Sequence, residues 1–300
     1  MMDTIMPDIP RFYTALAEWL ACMIFILPLK KRMAKKTIPL MAGALVVQSV
    51  FLVVTGNLMI YFWIPCMVIA VILMIGFIYG CCDIGSTDAI YFGMIAFVVA
   101  EFLASIEWQV VCFIWKGQMP ALWIRALLLI GIYGCIAFVL LKIMQTHLPK
   151  DGKMNISPKE LFSAQLIAIA VFAVSNLSFL TSNTPFSGTY SFEIGNIRTL
   201  VDIGGIAILY AHLIQCGELR VKKELEAVQN VLQNQYVQYK QSRESIDLIN
   251  YKYHDLKHQI AVLRSEEDPK KREEFLNRME EEIRQYEAQN KTGNKVLDTV

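Results

Sequence analysis

Charge is what the first two hundred residues have least of. Only 18% of the 300 residues are Asp, Glu, Lys or Arg, against 55% hydrophobic. That balance is too apolar for a soluble chain of this length. The charges present are unevenly spread. From Glu218 onward nearly every third residue is charged, while long stretches before it carry none. The change near Cys216 separates a part suited to lipid from a part suited to water. The net charge is only +1, so no excess of either sign invites nucleic acid.

Other absences exclude further classes. The seven cysteines (Cys22, Cys66, Cys81, Cys82, Cys112, Cys135 and Cys216) include no C-x-x-C pair. Neither a metal site nor a disulfide framework is expected. Most lie in or beside apolar spans, where Cys acts as a small hydrophobe. Cys81-Cys82 abuts a span and is placed for acylation, with plain packing as the simpler role. The apolar spans lack the strict alternation a membrane barrel needs. No internal repeat is evident, which argues against a transporter built on inverted halves. Basic residues are missing before the first span, where Asp3 and Asp8 stand instead, so a cleavable signal is not expected.

What is there reads as an all-α chain with about seven membrane spans. Apolar windows occur at Phe12–Leu29, Ile38–Val54, Tyr61–Gly80, Ala89–Ser105, Ala121–Ile143, Phe162–Leu180 and Leu200–Gln215. Each approaches the ~20 residues that cross a bilayer. Each should be helical, because a helix satisfies its own backbone groups in lipid. Trp108–Trp115 is also apolar and reads as an interfacial or re-entrant piece. Lys30, Lys31, Arg32, Lys35 and Lys36 follow the first window, and Lys142, Lys150, Lys153 and Lys159 follow the fifth. Arg220, Lys222 and Lys223 follow the seventh. Under the positive-inside rule this predicts a multi-pass membrane protein with its N-terminus outside and its C-terminus cytoplasmic.

Glu18, Glu101, Glu107, Arg125 and Asp202 sit in or beside the windows. Ionisable residues there are costly and usually face a bundle interior. Glu107 and Arg125 lie near span ends and read as snorkelling. Glu101 is deeper and suggests pairing or a ligand contact. Thr181–Thr199 is the longest polar stretch on the outer side. Its Tyr190, Phe192, Glu193 and Arg198 join Glu101 as candidate contacts for an external ligand.

Between Pro185 and Pro269 there is no proline, and Gly217 is the lone glycine of the connection. One glycine costs a helix about 1 kcal/mol without ending it. The seventh span therefore continues as a helix into the cytosol. Leu225, Val228, Leu232, Tyr239, Ile246, Ile249, Tyr253, Leu256, Ile260 and Leu263 occupy a and d positions of a heptad seam. Gln235 and Ser242 interrupt it at d, which suits a seam able to hold two registers. His254 follows Tyr253 at a b position and faces water. Pro269 opens a second helix whose stripe is Phe275, Leu276, Met279, Ile283 and Tyr286. Two such hairpins would pair as a four-helix bundle, which predicts a homodimer. The organisation is thus a membrane sensor over 1–216, a coiled-coil signalling helix over 217–245 and a dimerisation hairpin over 246–291. Residues 292–300 open a new apolar pattern.

An exposed imidazole ordinarily titrates near neutrality and can attack phosphorus, and an adjacent carboxylate such as Asp255 can orient it or take its proton. Tyr253-His254-Asp255-Leu256-Lys257-His258-Gln259, followed by Tyr286 and Thr292-Gly293-Asn294-Lys295-Val296-Leu297-Asp298, resembles the bacterial sensor histidine kinases with GHKL-type ATPase domains. The accessory-gene-regulator quorum receptors are their familiar members. The resemblance is specific over 251–298 and architectural over the membrane part. It implies His254 as phosphoacceptor with Asp255 as its acidic neighbour, a response regulator as partner and a peptide as the outside signal. His258 matches a second histidine that is not phosphorylated. The family's Asn-rich Mg-ATP box and Gly-rich lid are not found before Val300. The resemblance therefore implies that Mg-ATP is bound in a full-length form, with 292–300 the start of that domain. The rival expectation is a non-enzymatic dimeric receptor or scaffold.

Overall fold

The computed structural model describes residues 9–56, 58, 60–115, 120–148, 153–180, 191–265 and 267–289. Every regular element among them is a helix. These are α1 (Arg11–Ile26), α2 (Ala34–Thr55), α3 (Ile60–Cys81), α4 (Ser86–Trp115), α5 (Leu122–His147), α6 (Pro158–Leu180), α7 (Ser191–Ser265) and α8 (Pro269–Gln289). Six of them (α2 to α7) are long and apolar enough to cross a membrane, which suits a multi-pass membrane protein. The first apolar window differs from expectation. α1 has 16 residues and rises about 24 Å at 1.5 Å per residue, short of a hydrocarbon core of about 30 Å. Pro28 stops it two residues past its end. Lys31 folds back on the turn that follows α1, its Nζ donating to Leu27 O at 3.2 Å and Leu29 O at 3.0 Å. Burial lowers the pKa of that ammonium.

Trp108–Trp115 is not a separate re-entrant piece. It completes α4, a single helix of 30 residues. α4 packs on α1, α3, α5 and α6, and 83% of its most apolar window is buried, against 17–33% for the other five long helices. Those five leave much of their apolar surface uncovered by other helices, so α4 is the axis of the bundle.

The chain divides into two compact units at Lys223/Glu224, seven residues beyond the change of composition and inside α7. In the first unit, a short antiparallel bridge joins Lys31 to Cys82. Cys81 and Cys82 are 1% and 0% exposed, and burial pushes the Cys82 thiol up to about 11. The pair is packed inside, which argues for the plain packing role over acylation. Asp88, also buried, holds the segment before α6. Its Oδ2 accepts Met154 N (3.0 Å) and Asn155 N (3.2 Å), and its Oδ1 accepts Ile156 N (2.9 Å). Asn155 takes a positive φ of 52°, a conformation Asn tolerates better than most residues, and this turns three successive N–H groups toward one carboxylate. A capping box follows, with Ser157 N donating to Glu160 Oε2 (2.8 Å) and Glu160 N to Ser157 Oγ (3.4 Å). Replacing Asp88 with Ala strands these buried donors. We expect a loss of about 3 kcal/mol, read as a lower thermal midpoint in detergent micelles, with Asp88→Asn intermediate.

The second unit consists of the later part of α7 and α8. Asp268 caps α8, its Oδ1 accepting Lys270 N at 3.1 Å, and Pro269 takes the first helical position as expected. The side chains of Leu225, Val228, Leu232, Tyr239, Ile246, Ile249, Tyr253 and Leu256 are exposed.

Candidate functional site

α4 and α7 run antiparallel, and polar side chains link them where α4 ends and α7 begins. Gln109 donates through Nε2 to Asn196 Oδ1 and accepts Thr199 Oγ1–H through Oε1 at 2.6 Å. One turn deeper, Ser105 Oγ stands 3.2 Å from Asp202 Oδ2 and 2.7 Å from Glu101 O. The Arg198 guanidinium forms an ion pair with the Glu101 carboxylate. Glu101 and Asp202 are 5% and 1% exposed, so this pair works at low dielectric, where a charge without a partner is expensive. Glu18 on α1 stands near Glu101. Both of its carboxylate oxygens are buried without a hydrogen-bond partner, as are both oxygens of Glu107.

Of the candidate ligand residues, Glu101 and Arg198 are brought together. Tyr190 lies outside the described residues, and of Phe192 and Glu193 only the helical backbone is described. Glu107 does not snorkel as expected. It is 0% exposed, because the extension of α4 to Trp115 carries it a further two turns from the helix end. Arg125 lies over the Tyr13 ring, 5.4 Å from its centroid.

The opposite end of the same pair of helices carries a second polar cluster that sequence reading missed. His212 of α7 is hydrogen-bonded through Nδ1 to Tyr91 of α4 (O···N 2.9 Å) and through Nε2 to Ser163 of α6 (2.6 Å). Cys216 Sγ lies 3.6 Å from Nδ1. The available signal was a lone histidine inside an apolar helix, which needs polar partners if it is buried.

In the second unit, His254, Asp255 and His258 are exposed on α7. Tyr253 beside them is 71% exposed. An imidazole so placed is free to meet a macromolecular partner. Tyr286 is described only as helical backbone, and the pattern at 292–300 lies outside the described residues. Among the described residues no group of His, Cys, Asp and Glu could hold a metal ion.

No protein-family model matches the chain, and neither a curated protein nor a solved structure does.

Proposed function

We propose that this chain is the sensor and phosphoacceptor portion of a bacterial membrane histidine kinase, with His254 as the residue phosphorylated. The observation that carries the reading is the exposure of His254 and Asp255 on a helix continuous with an apolar membrane-type segment. The sequence resemblance over 251–298 supplies the chemistry. A ring nitrogen of His254 attacks the γ-phosphorus of ATP. The N–P bond forms, the P–O bond to ADP breaks, and the ring proton leaves to Asp255 or water. The nucleotide is held by an ATP-binding domain, either in cis in a longer form of the chain or in trans on a partner. The phosphoryl group then passes from nitrogen to a carboxylate of a response regulator. In this reading α1 crosses as a seventh span, its shortness met by local thinning of the bilayer, so the N-terminus lies outside the plasma membrane and the second unit in the cytosol. An extracellular peptide is sensed near Glu101 and Arg198, and a shift of α7 carries the signal.

The protein acts as a homodimer. Isolated helices with one apolar stripe are marginal in water, and Ile249 and Leu256 offer such a stripe at 65% and 44% exposure. Ile249→Asp and Leu256→Asp are each expected to convert dimer to monomer in light scattering of the nanodisc-embedded chain. Unchanged dimer mass would refute the seam. The kinase reading itself is tested with the full chain supplied with a GHKL-type ATP domain and γ-labelled ATP. Label that is acid-labile and alkali-stable, as phosphohistidine is, supports it. Absence of such label overturns it.

A further inference from the structure

We propose that His212 is a latch that pins α7 to α4 and α6 at the end where α4 begins. From α7 the ring is hydrogen-bonded to both α4 and α6, through Tyr91 and Ser163. Ser163 Oγ also lies 2.8 Å from Glu160 O and gives its proton to that carbonyl. It therefore accepts from Nε2–H, which leaves Nδ1 to accept the Tyr91 O–H. Each polar atom of the trio has a complementary partner, and the arrangement tolerates little sliding, because a helix displaced by one residue moves 1.5 Å along its axis.

Both anchors are themselves fixed. Tyr91 is 0% exposed and lies in an edge contact with Phe92. Ser163 follows the capping box that Ser157 and Glu160 form, and the segment ahead of it hangs on Asp88, three residues before Tyr91. α7 touches the same assembly twice more within the first unit. The Arg220 guanidinium donates to Lys153 O, and Lys223 Nζ lies 3.9 Å from Glu160 Oε1. Lys223 is largely exposed, and an exposed ion pair contributes little. The half-buried imidazole is less screened by water than that ion pair. Any lengthwise or rotary movement of α7 has to release it. The latch is a property of the first unit and stands independently of the kinase reading.

Cys216 reports on it. The thiol lies beside Nδ1 and is 5% exposed, so it should react with N-ethylmaleimide only when α7 moves away. The test uses the full chain in lipid nanodiscs at one fixed pH, with labelling rates read cysteine by cysteine by mass spectrometry. Tyr91→Phe and Ser163→Ala each remove one hydroxyl and leave the apolar packing in place. Each is expected to raise the Cys216 rate roughly fivefold, the ratio that one hydrogen bond of ordinary strength sustains. The pair together should raise it more. Ser163 sits on the ring nitrogen away from Cys216, so its variant separates opening of the latch from a direct effect on the thiol. Cys22, fully buried in α1, should keep its rate in every variant. An unchanged Cys216 rate in Ser163→Ala overturns the latch. A parallel rise at Cys22 also overturns it, because that marks general loosening of the bundle.

Discussion

Replacing His254 with Gln is expected to reduce acid-labile labelling from ATP to background, in a chain that still embeds in lipid and still dimerises. Gln keeps a polar, helix-compatible side chain at an exposed position, so the fold loses little. It has no basic nitrogen to attack phosphorus. His258→Gln is the matched control, since that side chain is exposed on the same helix one turn away, and its labelling should persist. Asp255→Asn should fall between the two, with the slope of labelling against pH altered if the carboxylate takes the ring proton. Full labelling of the His254→Gln protein would exclude His254 as acceptor. The scaffold reading would then be favoured, provided dimer formation still depends on Ile249 and Leu256.

The second large effect belongs to the bundle. Arg198→Leu should destabilise the protein by about 3–5 kcal/mol, because it leaves the Glu101 carboxylate buried without its counter-ion. The Arg198 and Glu101 side chains are only 15% and 6% exposed, so water cannot make good the loss. Asp202 stands in the same cluster, hydrogen-bonded to Ser105, and loses a neighbouring positive charge as well. Removing both members, in Glu101→Gln with Arg198→Leu, should recover most of the stability, since a neutral pair carries no ionic desolvation cost. Thermal or SDS-driven unfolding in mixed micelles measures the cycle. If the double variant is as unstable as Arg198→Leu alone, the ion pair is not the source of the loss. The same variants bear on signalling, because the pair joins α4 to α7 at the end where a ligand contact is proposed.

The parts of the fold that were legible rest on local rules. The length of α7 follows from the missing prolines between Pro185 and Pro269 and from a single tolerated glycine at Gly217. Pro269 marked the start of α8, and Asp268 ahead of it supplied the cap. Apolar windows located α1, α2, α3, α5 and α6 to within a few residues, but stopped ten short of the end of α4. Two errors share a cause. Trp108–Trp115 was set apart, and Glu107 was assigned to an interface, because hydropathy alone cannot tell lipid contact from protein contact. Leu and Phe satisfy both, so the surroundings of α4 had to be known before its polar residues could be placed. Tyr286 and the segment beyond Asn290 bear on the family resemblance and lie outside the described residues.

Amino-acid order by itself determined which stretches are helical, where the apolar part gives way to the charged part, and that His254 faces away from the heptad stripe. These depend on neighbours within a turn or two, or on counting by sevens. The tertiary structure alone decided that α4 is the buried axis, that Glu101 meets Arg198 across 97 positions, and that His212 is shared by Tyr91 and Ser163, which are 121 and 49 positions away. Such pairings are set by how whole helices pack. Burial in low dielectric then requires each polar group to find its partner wherever the packing has brought one.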